Sequence, residues 1–219
     1  MRRQVEQLVE QEQAEVVHRA ASNPAIRHPI KSDRLFQFKI TLLEVWPAIW
    51  RRIQIPDCNL ADLHRYIQAA FGWCDNHLHQ FDIDGECYSR SAQNDDDFDM
   101  DCNDEADVLL SNLVPKSGRP SRWIYEYDFG DGWRHEVLFE GFPPADPTEK
   151  YPLCVEGERA CPPEDCGGPY HYGDLVAIIR DTKREDYEEL LEDMVEEWGP
   201  LDPEAFDAKK ATKEMRKIK

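Results

Sequence analysis

The feature that most constrains the fold of this chain is an alternating aromatic pattern on both sides of a short, glycine-bounded loop. Every second side chain is aromatic in residues 123–129, and the alternation continues after the loop with Trp133, His135, Val137 and Phe139. This period of two indicates two half-buried strands. The sequence Gly130-Asp131-Gly132 between them allows the positive φ angles of a tight turn. The pattern therefore predicts a β-hairpin over residues 123–140.

The hairpin register follows if the loop has three residues. Phe129 then pairs with Trp133, and Tyr127 faces His135. On the opposite face Asp128 meets Arg134 as a cross-strand pair of opposite charge. Asp131, at the tip, is expected to point towards solvent.

Further periodic segments complete an α+β fold. The predicted elements are strands at residues 36–42, 49–55 and 77–83, a helix from Asn59 to Gly72, helices from Asp174 and over 187–198, and a last helix from Asp202. Residues 141–173 are rich in Pro and Gly and are predicted to form an ordered loop. We expect a mainly antiparallel sheet packed against helices in one domain, residues 33–207. An N-terminal helical appendage, residues 1–32, precedes it, and the basic end of the C-terminal helix, residues 208–219, follows it.

Charge narrows the classes of function. Lys and Arg number 26 and Asp and Glu 45, which gives a net charge of −19. This charge repels phosphate backbones and argues against a nucleic-acid partner. The apolar runs are shorter than the ~20 residues of a membrane span and no apolar signal core is visible, so we expect a soluble, cytoplasmic protein without a membrane partner. The insertion 91–110 has eight acidic and no basic residues and lacks the glycine and final glutamate of an EF-hand, which predicts an exposed, mobile loop.

The seven cysteines form two sets, four that are scattered along the chain and three that are clustered. Without an export signal, we expect reduced thiols, and the first four, which are scattered, are expected to be buried and inert. The last three form a cysteine loop that supplies a candidate zinc site with His135: Cys154, Cys161 and Cys166. Their spacing of seven and five positions does not form paired CxxC motifs, so the alternative is that they are packing groups in a proline-stiffened loop.

Two histidines give a second candidate site. In a strand, His77 and His79 project to one side, as chelation of a catalytic metal requires. His135, Glu164 or Asp165 could supply the third ligand if the cysteine loop folds back over the sheet. The alternative is that both histidines are hydrogen-bonded core residues.

A ligand cleft is the third candidate site. Aromatic walls and carboxylates around the hairpin loop would line it: Tyr127, Asp128, Asp131, Trp133, Glu164 and Asp165. A raised carboxyl pKa would allow acid–base chemistry there. The alternative is structural, because Asp131 suits a turn, Asp128 can pair with Arg134, and the Glu164-Asp165 pair can cap turns.

Three motifs together resemble one protein family. They are Gly72-Trp73 with the sequence HLHQF at 77–81, the sequence YEYDFGDGWRH at 125–135, and the sequence CVEGERACPPEDCGGPYHY at 154–172. They resemble the plasmid pRiA ORF-three-like family, sometimes labelled transposon-passenger or TnpR-like, over residues 33–207. The resemblance implies an α+β domain with a mainly antiparallel sheet and no established activity. The label would imply a DNA resolvase, but the motifs contain no serine to act as nucleophile, and His171 replaces the glycine usual in relatives.

The favoured function from the sequence is a binding or adaptor module. Its site is expected between the loop from Gly130 to Gly132 and the cysteine loop, with zinc as a candidate stabilising ion and an unidentified protein or small molecule as partner. The first alternative is a metal-dependent hydrolase that uses His77, His79 and His135. The second is a nucleic-acid-processing protein of a mobile element, which rests on the family label alone.

Overall fold

The computed structural model describes residues 33–90 and 102–218. These residues form one eight-stranded sheet in the order β5-β4-β3-β6-β7-β1-β2-β8. The strands are β1 (Leu35–Leu42), β2 (Trp50–Pro56), β3 (His79–Ile83), β4 (Glu86–Ser89), β5 (Asn103–Asp104), β6 (Ser121–Tyr127), β7 (Trp133–Gly141) and β8 (Leu153–Glu158). Strand pairing is antiparallel except between β4 and β5. The predicted α+β class with a mainly antiparallel sheet is confirmed.

Five α-helices accompany the sheet in the described residues. They are α1 (Leu60–Phe71), α2 (Leu110–Leu113), α3 (Gly168–Arg180), α4 (Tyr187–Trp198) and α5 (Ala208–Met215). None of them combines the length and apolar character that crossing a membrane requires. The predicted N-terminal appendage lies outside the described residues.

The core lies between the sheet and α1. The alternating side chains of β1, β6 and β7 are buried, among them Phe38, Tyr125 and Phe139. Helix α1 begins at its predicted cap, where the Asn59 side chain accepts a hydrogen bond from the Asp62 N–H, and it ends at Gly72 in the left-handed conformation. Short-range signals therefore set the length of the helix that covers the sheet.

The hairpin has the predicted strands but not the predicted register. Tyr127 pairs with Trp133, so the loop has five residues, 128–132, and Arg134 faces Glu126 rather than Asp128. The Asp128 carboxylate accepts hydrogen bonds from the N–H groups of Gly130 and Asp131, at 3.0 and 3.3 Å. Asp128 itself has a φ of +56°. This aspartate turn ends the ladder two residues earlier than the glycines alone suggest.

The segment predicted as loop over residues 141–173 contains β8, which pairs with β2 at one edge of the sheet. The prediction missed it because its apolar residues are few. Helix α3 starts at Gly168, with Pro169 in its first turn, rather than at Asp174. The last helix is capped by Asp207, not by Asp202.

Helix α5 lies against the edge strand β8. The Cys154 N–H donates to the Thr212 hydroxyl at 2.9 Å, and this hydroxyl donates to the Cys154 carbonyl at 3.3 Å. Ala211 and Met215 are buried on the same side of the helix. The basic C-terminal segment thus includes a helix that packs onto the domain.

The predicted exposed loop over residues 91–110 and the predicted free thiols are both corrected in part. From residue 102 onwards this stretch forms β5, a 3₁₀ helix (Glu105–Asp107) and the start of α2, and Glu105 is only 2% exposed. Cys87 and Cys102 form a disulfide. Cys58 is buried as predicted, whereas Cys74 is exposed. The sequence alone does not show that Cys102 bonds to Cys87 or that Glu105 contacts His79, because these partners lie 15 and 26 positions away in the chain.

Candidate functional site

The candidate site lies where the hairpin loop meets the segment that follows β8. We call residues 159–167 the flap. The flap Gly167 N–H donates to the Asp131 carboxylate at 3.0 Å, so Asp131 contacts the flap rather than pointing free into solvent. The indole N–H of Trp73 donates to the Pro162 carbonyl at 3.1 Å. The hairpin loop and the flap, which carries Cys161 and Cys166, are therefore in contact in the structure, as the sequence predicts.

Gly168, the residue that follows the flap and begins α3, lies very close to the backbone of the hairpin loop. Its φ is +80°, and a Cβ atom there would lie 2.4 Å from the Asp131 carbonyl oxygen. We expect Gly168→Ala to lower the free energy of unfolding by about 2 kcal/mol, because it combines backbone strain with a backbone clash. Gly173→Ala is the matched control on the same helix, since its Cβ would meet nothing within 4 Å. The control should be stabilising by about 0.5–1 kcal/mol. Urea unfolding of both variants checks this, and equal stabilities would contradict the close approach.

His77 lies at the centre of a group of carboxylates. Its Nε2 atom is 3.2 Å from Asp165 Oδ1, 3.7 Å from Asp128 Oδ2 and 3.7 Å from Glu164 Oε2. This nitrogen is buried and has no hydrogen-bond partner among the described residues. The ligand atoms of His77, Asp128 and Asp165 all lie within 4.8 Å of one another. We call these three residues, with the neighbouring Glu164, the His77 group.

Two carboxylates of the His77 group, those of Asp128 and Glu164, are held by hydrogen bonds from other parts of the protein, and one of these bonds runs from the Tyr127 hydroxyl to Glu164 Oε2 at 3.3 Å. Asp128 uses Oδ1 for the hairpin loop, which leaves Oδ2 towards His77. Glu164 Oε1 accepts from the Cys74 N–H at 2.7 Å and from the Tyr127 hydroxyl at 3.1 Å. Burial raises the pKa of Tyr127 well above its usual value, so the phenol stays protonated and donates. The group is therefore preorganised by hairpin, flap and the segment before β3.

His79 does not join His77, which corrects the predicted chelating pair. Strand β3 begins at His79, so the two-residue alternation does not extend to His77. His79 is buried, and its Nε2 lies 2.7 Å from Glu105 Oε2. Its ring stacks on His64 with 3.4 Å between centroids and 3° between planes. His79 is thus a hydrogen-bonded core residue.

His64, Asp75 and His79 form the second described group whose ligand atoms converge within 4.8 Å. The lone pairs of parallel, stacked imidazoles run side by side and cannot point at one ion. His64 Nε2 already lies 2.8 Å from Asp75 Oδ1. Its Nδ1 lies 2.8 Å from the Tyr125 hydroxyl. Burial lowers the pKa of His64 to about 4, so the stack contains at least one neutral ring. This group is a hydrogen-bonded network, and no local pattern in the sequence predicts it.

The predicted zinc ligands do not form a converging group in the described residues. The His135 side chain lies on the buried face of the sheet, edge-on to the rings of Phe71 and Trp73. Complete burial lowers the pKa of His135 to about 3. Burial raises the pKa of Cys154 to about 11 and that of Cys166 to about 12. Because these thiols and His135 do not converge, they fit the alternative of packing groups better than zinc ligands. The set of His77, His79 and His135 is likewise not assembled.

Of the predicted cleft residues, one more lies elsewhere. Trp133 is fully buried beneath the hairpin and contacts Trp73, with 6.0 Å between ring centroids, so it supports the site from below rather than lining it. Tyr127, Asp128, Glu164 and Asp165 are brought together with His77, and Asp131 holds the flap.

Known proteins resemble this chain in sequence and fold. The profile of the family described as "Plasmid pRiA4b ORF-3-like protein" matches residues 34–210. A Sinorhizobium fredii protein described as "Uncharacterized protein y4hQ" is 36% identical over 157 residues, which cover 71% of this chain and 78% of that protein. The crystal structure of MM3350 from Methanosarcina mazei Go1, a protein of unknown function, superposes with a TM-score of 0.69. It is 30% identical, and the match covers 83% of this chain and 98% of that one.

The family match includes the hairpin, the flap and the sheet, and the descriptions of both relatives assign no activity. The match over 177 residues, from 34 to 210, and the identity to y4hQ show that this chain belongs to the plasmid pRiA4b ORF-3-like protein family.

Proposed function

We propose that this protein is a binding module for a divalent cation, held by His77, Asp128 and Asp165 between the hairpin loop and the flap. The observation that carries the proposal is the buried Nε2 of His77, which faces three carboxylate oxygens at 3.2–3.7 Å without forming a hydrogen bond in the described structure. Ligands that bind Zn²⁺ tetrahedrally at about 2.0–2.2 Å are separated from one another by about 3.3–3.6 Å. The spacing around His77 supports an ion of this size.

The donor set favours a transition metal. One imidazole with carboxylates suits Zn²⁺ or Mn²⁺, whereas Ca²⁺ prefers six to eight oxygen ligands. Tyr127 and the Cys74 N–H hold Glu164, whose Oε2 would supply a further ligand or contact ion-bound water. Cation binding would join hairpin and flap, which is how the ion would serve a binding module.

The first experiment is metal titration of protein purified without a histidine tag. Isothermal titration with Zn²⁺ and Mn²⁺ should give one site, and His77→Gln and Asp165→Asn should each weaken it at least a hundredfold. Asp165 has a side chain that is 71% exposed, so this variant should fold normally. His171→Gln and Asp174→Asn, exposed residues of α3, are the matched controls and should retain the wild-type affinity.

The same titration can overturn the proposal. Binding that survives His77→Gln and Asp165→Asn but is lost in a Cys154→Ser, Cys161→Ser, Cys166→Ser variant would assign the ion to the thiols. Absence of stoichiometric binding to the wild-type protein would remove the cation site altogether.

A hydrolase is the second candidate, and it needs the same ion. Three protein ligands leave a coordination position open, as in catalytic zinc sites, and the exposed Asp165 side lets water reach it. Glu164 Oε2 could then accept the proton of the bound water. Glu164→Gln should bind metal but lose hydrolysis of p-nitrophenyl phosphate or p-nitrophenyl acetate. No metal-dependent hydrolysis of either probe by the wild-type protein would favour the binding module.

A further inference from the structure

The disulfide between Cys87 and Cys102 joins β4 to the segment that carries Glu105. Cys87 lies in β4, and Cys102 immediately precedes β5. The ladder between these strands is short, because only Tyr88 with Asn103 and Ser89 with Asp104 are paired. The exposed Asn103 amide adds hydrogen bonds to the Cys87 carbonyl at 3.3 Å and to Glu86 at 3.5 Å. Two residue pairs hold a strand weakly, so the covalent bond is a main attachment of this segment to the sheet edge.

Glu105 depends on this attachment for its position. It is 2% exposed, and its carboxylate lies 2.7 Å from Nε2 of the buried His79. The next attachments lie on the other side of Glu105, where the Asn59 amide donates to the Ala106 carbonyl at 3.2 Å and the Leu110 N–H donates to the Cys58 carbonyl at 2.9 Å. Release of residues 102–105 would expose the Glu105 carboxylate to solvent, and this solvation offsets part of the cost of breaking its pair with His79, so removal of the cross-link shifts the balance towards release.

The same edge contacts the chain on both sides of His77. The Ser89 hydroxyl donates to the His79 carbonyl at 2.7 Å. Arg90 donates to the Asp75 carboxylate at 3.4 Å. Asp75 and His79 each lie two residues from His77, so contacts of β4 and Glu105 fix the segment that presents the imidazole. Contacts behind a metal ligand commonly change metal affinity by 10- to 100-fold when they are lost.

We propose that the Cys87–Cys102 disulfide is a redox-controlled latch: its reduction frees the Glu105 segment from His79 and thereby weakens the cation site at His77. The part that concerns the cation rests on the proposed function. In the reaction an external dithiol transfers two electrons and two protons, the S–S bond breaks, Cys87 and Cys102 become thiols, and the dithiol becomes a disulfide. A reducing cytoplasm, the location predicted from the sequence, would open the latch, and oxidation would close it.

Hydrogen exchange tests the latch itself. Oxidised wild-type protein, protein reduced with a phosphine, and a Cys87→Ser, Cys102→Ser variant are compared, because a phosphine avoids the metal chelation of dithiols. Amides of residues 103–107 should exchange about a hundredfold faster in the reduced protein and in the variant, as expected for removal of a cross-link across 15 residues. Amides of β6 and β7 should be unchanged. Equal exchange in residues 103–107 of all three proteins would overturn the latch.

Mn²⁺ titration of the same three proteins tests the coupling to the cation site. The reduced protein and the double-serine variant should bind Mn²⁺ about tenfold more weakly than the oxidised protein. The double-serine variant treated with the phosphine is the control, and its Mn²⁺ affinity should be the same as without the phosphine, because it has no disulfide to reduce. Equal Mn²⁺ affinities in oxidised and reduced protein would overturn the coupling. If no form binds Mn²⁺ while exchange still responds, the proposed function is wrong and the latch stands.

Discussion

Replacement of Arg51 by methionine is expected to lower the free energy of unfolding by about 3–5 kcal/mol. Arg51 is 2% exposed, and its guanidinium donates to four backbone carbonyls: Ala70 at 3.1 Å and Trp50, Glu158 and Arg159 at 2.8 Å. It also lies over the rings of Phe71 and Phe206. Methionine fills much of the volume but leaves carbonyls without a donor, and each such buried group costs about 1–3 kcal/mol.

Arg51 also connects distant parts of the chain. Its carbonyl partners belong to the end of α1, to β2, to the end of β8 and to the start of the flap, so its loss should loosen the flap as well. Burial lowers the pKa of this guanidinium, although the group remains charged in the folded protein.

Chemical denaturation measures the loss, and Arg122→Met is the matched control. Arg122 has a side chain that is 69% exposed and pairs with Glu136 on the surface. Its replacement should change stability by no more than about 0.5 kcal/mol. A similar small change for Arg51→Met would show that water replaces the guanidinium at these carbonyls.

Acid is expected to destabilise the protein through His135, by several kcal/mol between neutral pH and pH 4. His135 is fully buried, and burial lowers its pKa from about 6.5 to about 3. The unfolded chain therefore binds a proton at His135 between pH 6.5 and 3 that the folded chain does not bind. Stability from the neutral imidazole is present in full above pH 6.5 and is lost as pH falls towards 3, with a slope of about 1.4 kcal/mol per pH unit.

A His135→Phe variant isolates this contribution. Phenylalanine keeps a ring against Phe71 and Trp73 and cannot titrate. Urea unfolding at pH 7, 6, 5 and 4 should show that the variant loses less stability per pH unit than the wild type, by about 1.4 kcal/mol, which is the slope for one proton. The control His171→Gln should follow the wild type. Parallel pH profiles for wild type and His135→Phe would mean that His135 titrates normally in the folded state.

The parts of the fold that could be predicted are those set by neighbours in the chain. The Asn59 cap and Gly72 define α1 locally, and the alternation around Gly130 defines the hairpin strands. The register could not be predicted, because it depends on whether Asp128 turns the chain with its side chain or continues the ladder. Both choices satisfy the same alternation.

The candidate site was predictable in location but not in composition. His77, Asp128, Glu164 and Asp165 could be named because they flank loops that come to the same end of the sheet. His79 was assigned to the wrong group, because the exact start of β3 decides which way the preceding residue faces. The acidic run predicts an exposed position for Glu105, since such a run is solvated unless a distant hydrogen-bond partner is known. The zinc prediction rests on the number of thiols near one another in the sequence, whereas in the structure they and His135 do not converge.

The contact of Thr212 with Cys154 has a consequence for self-association. Edge strands expose unpaired amide and carbonyl groups, which recruit strands of other molecules and lead to aggregates. Here one hydroxyl occupies both groups of Cys154, and the buried face of α5 covers the strand beside it. The C-terminal helix therefore covers part of the outer edge of β8 and leaves fewer free amide and carbonyl groups there for a strand of another molecule to pair with.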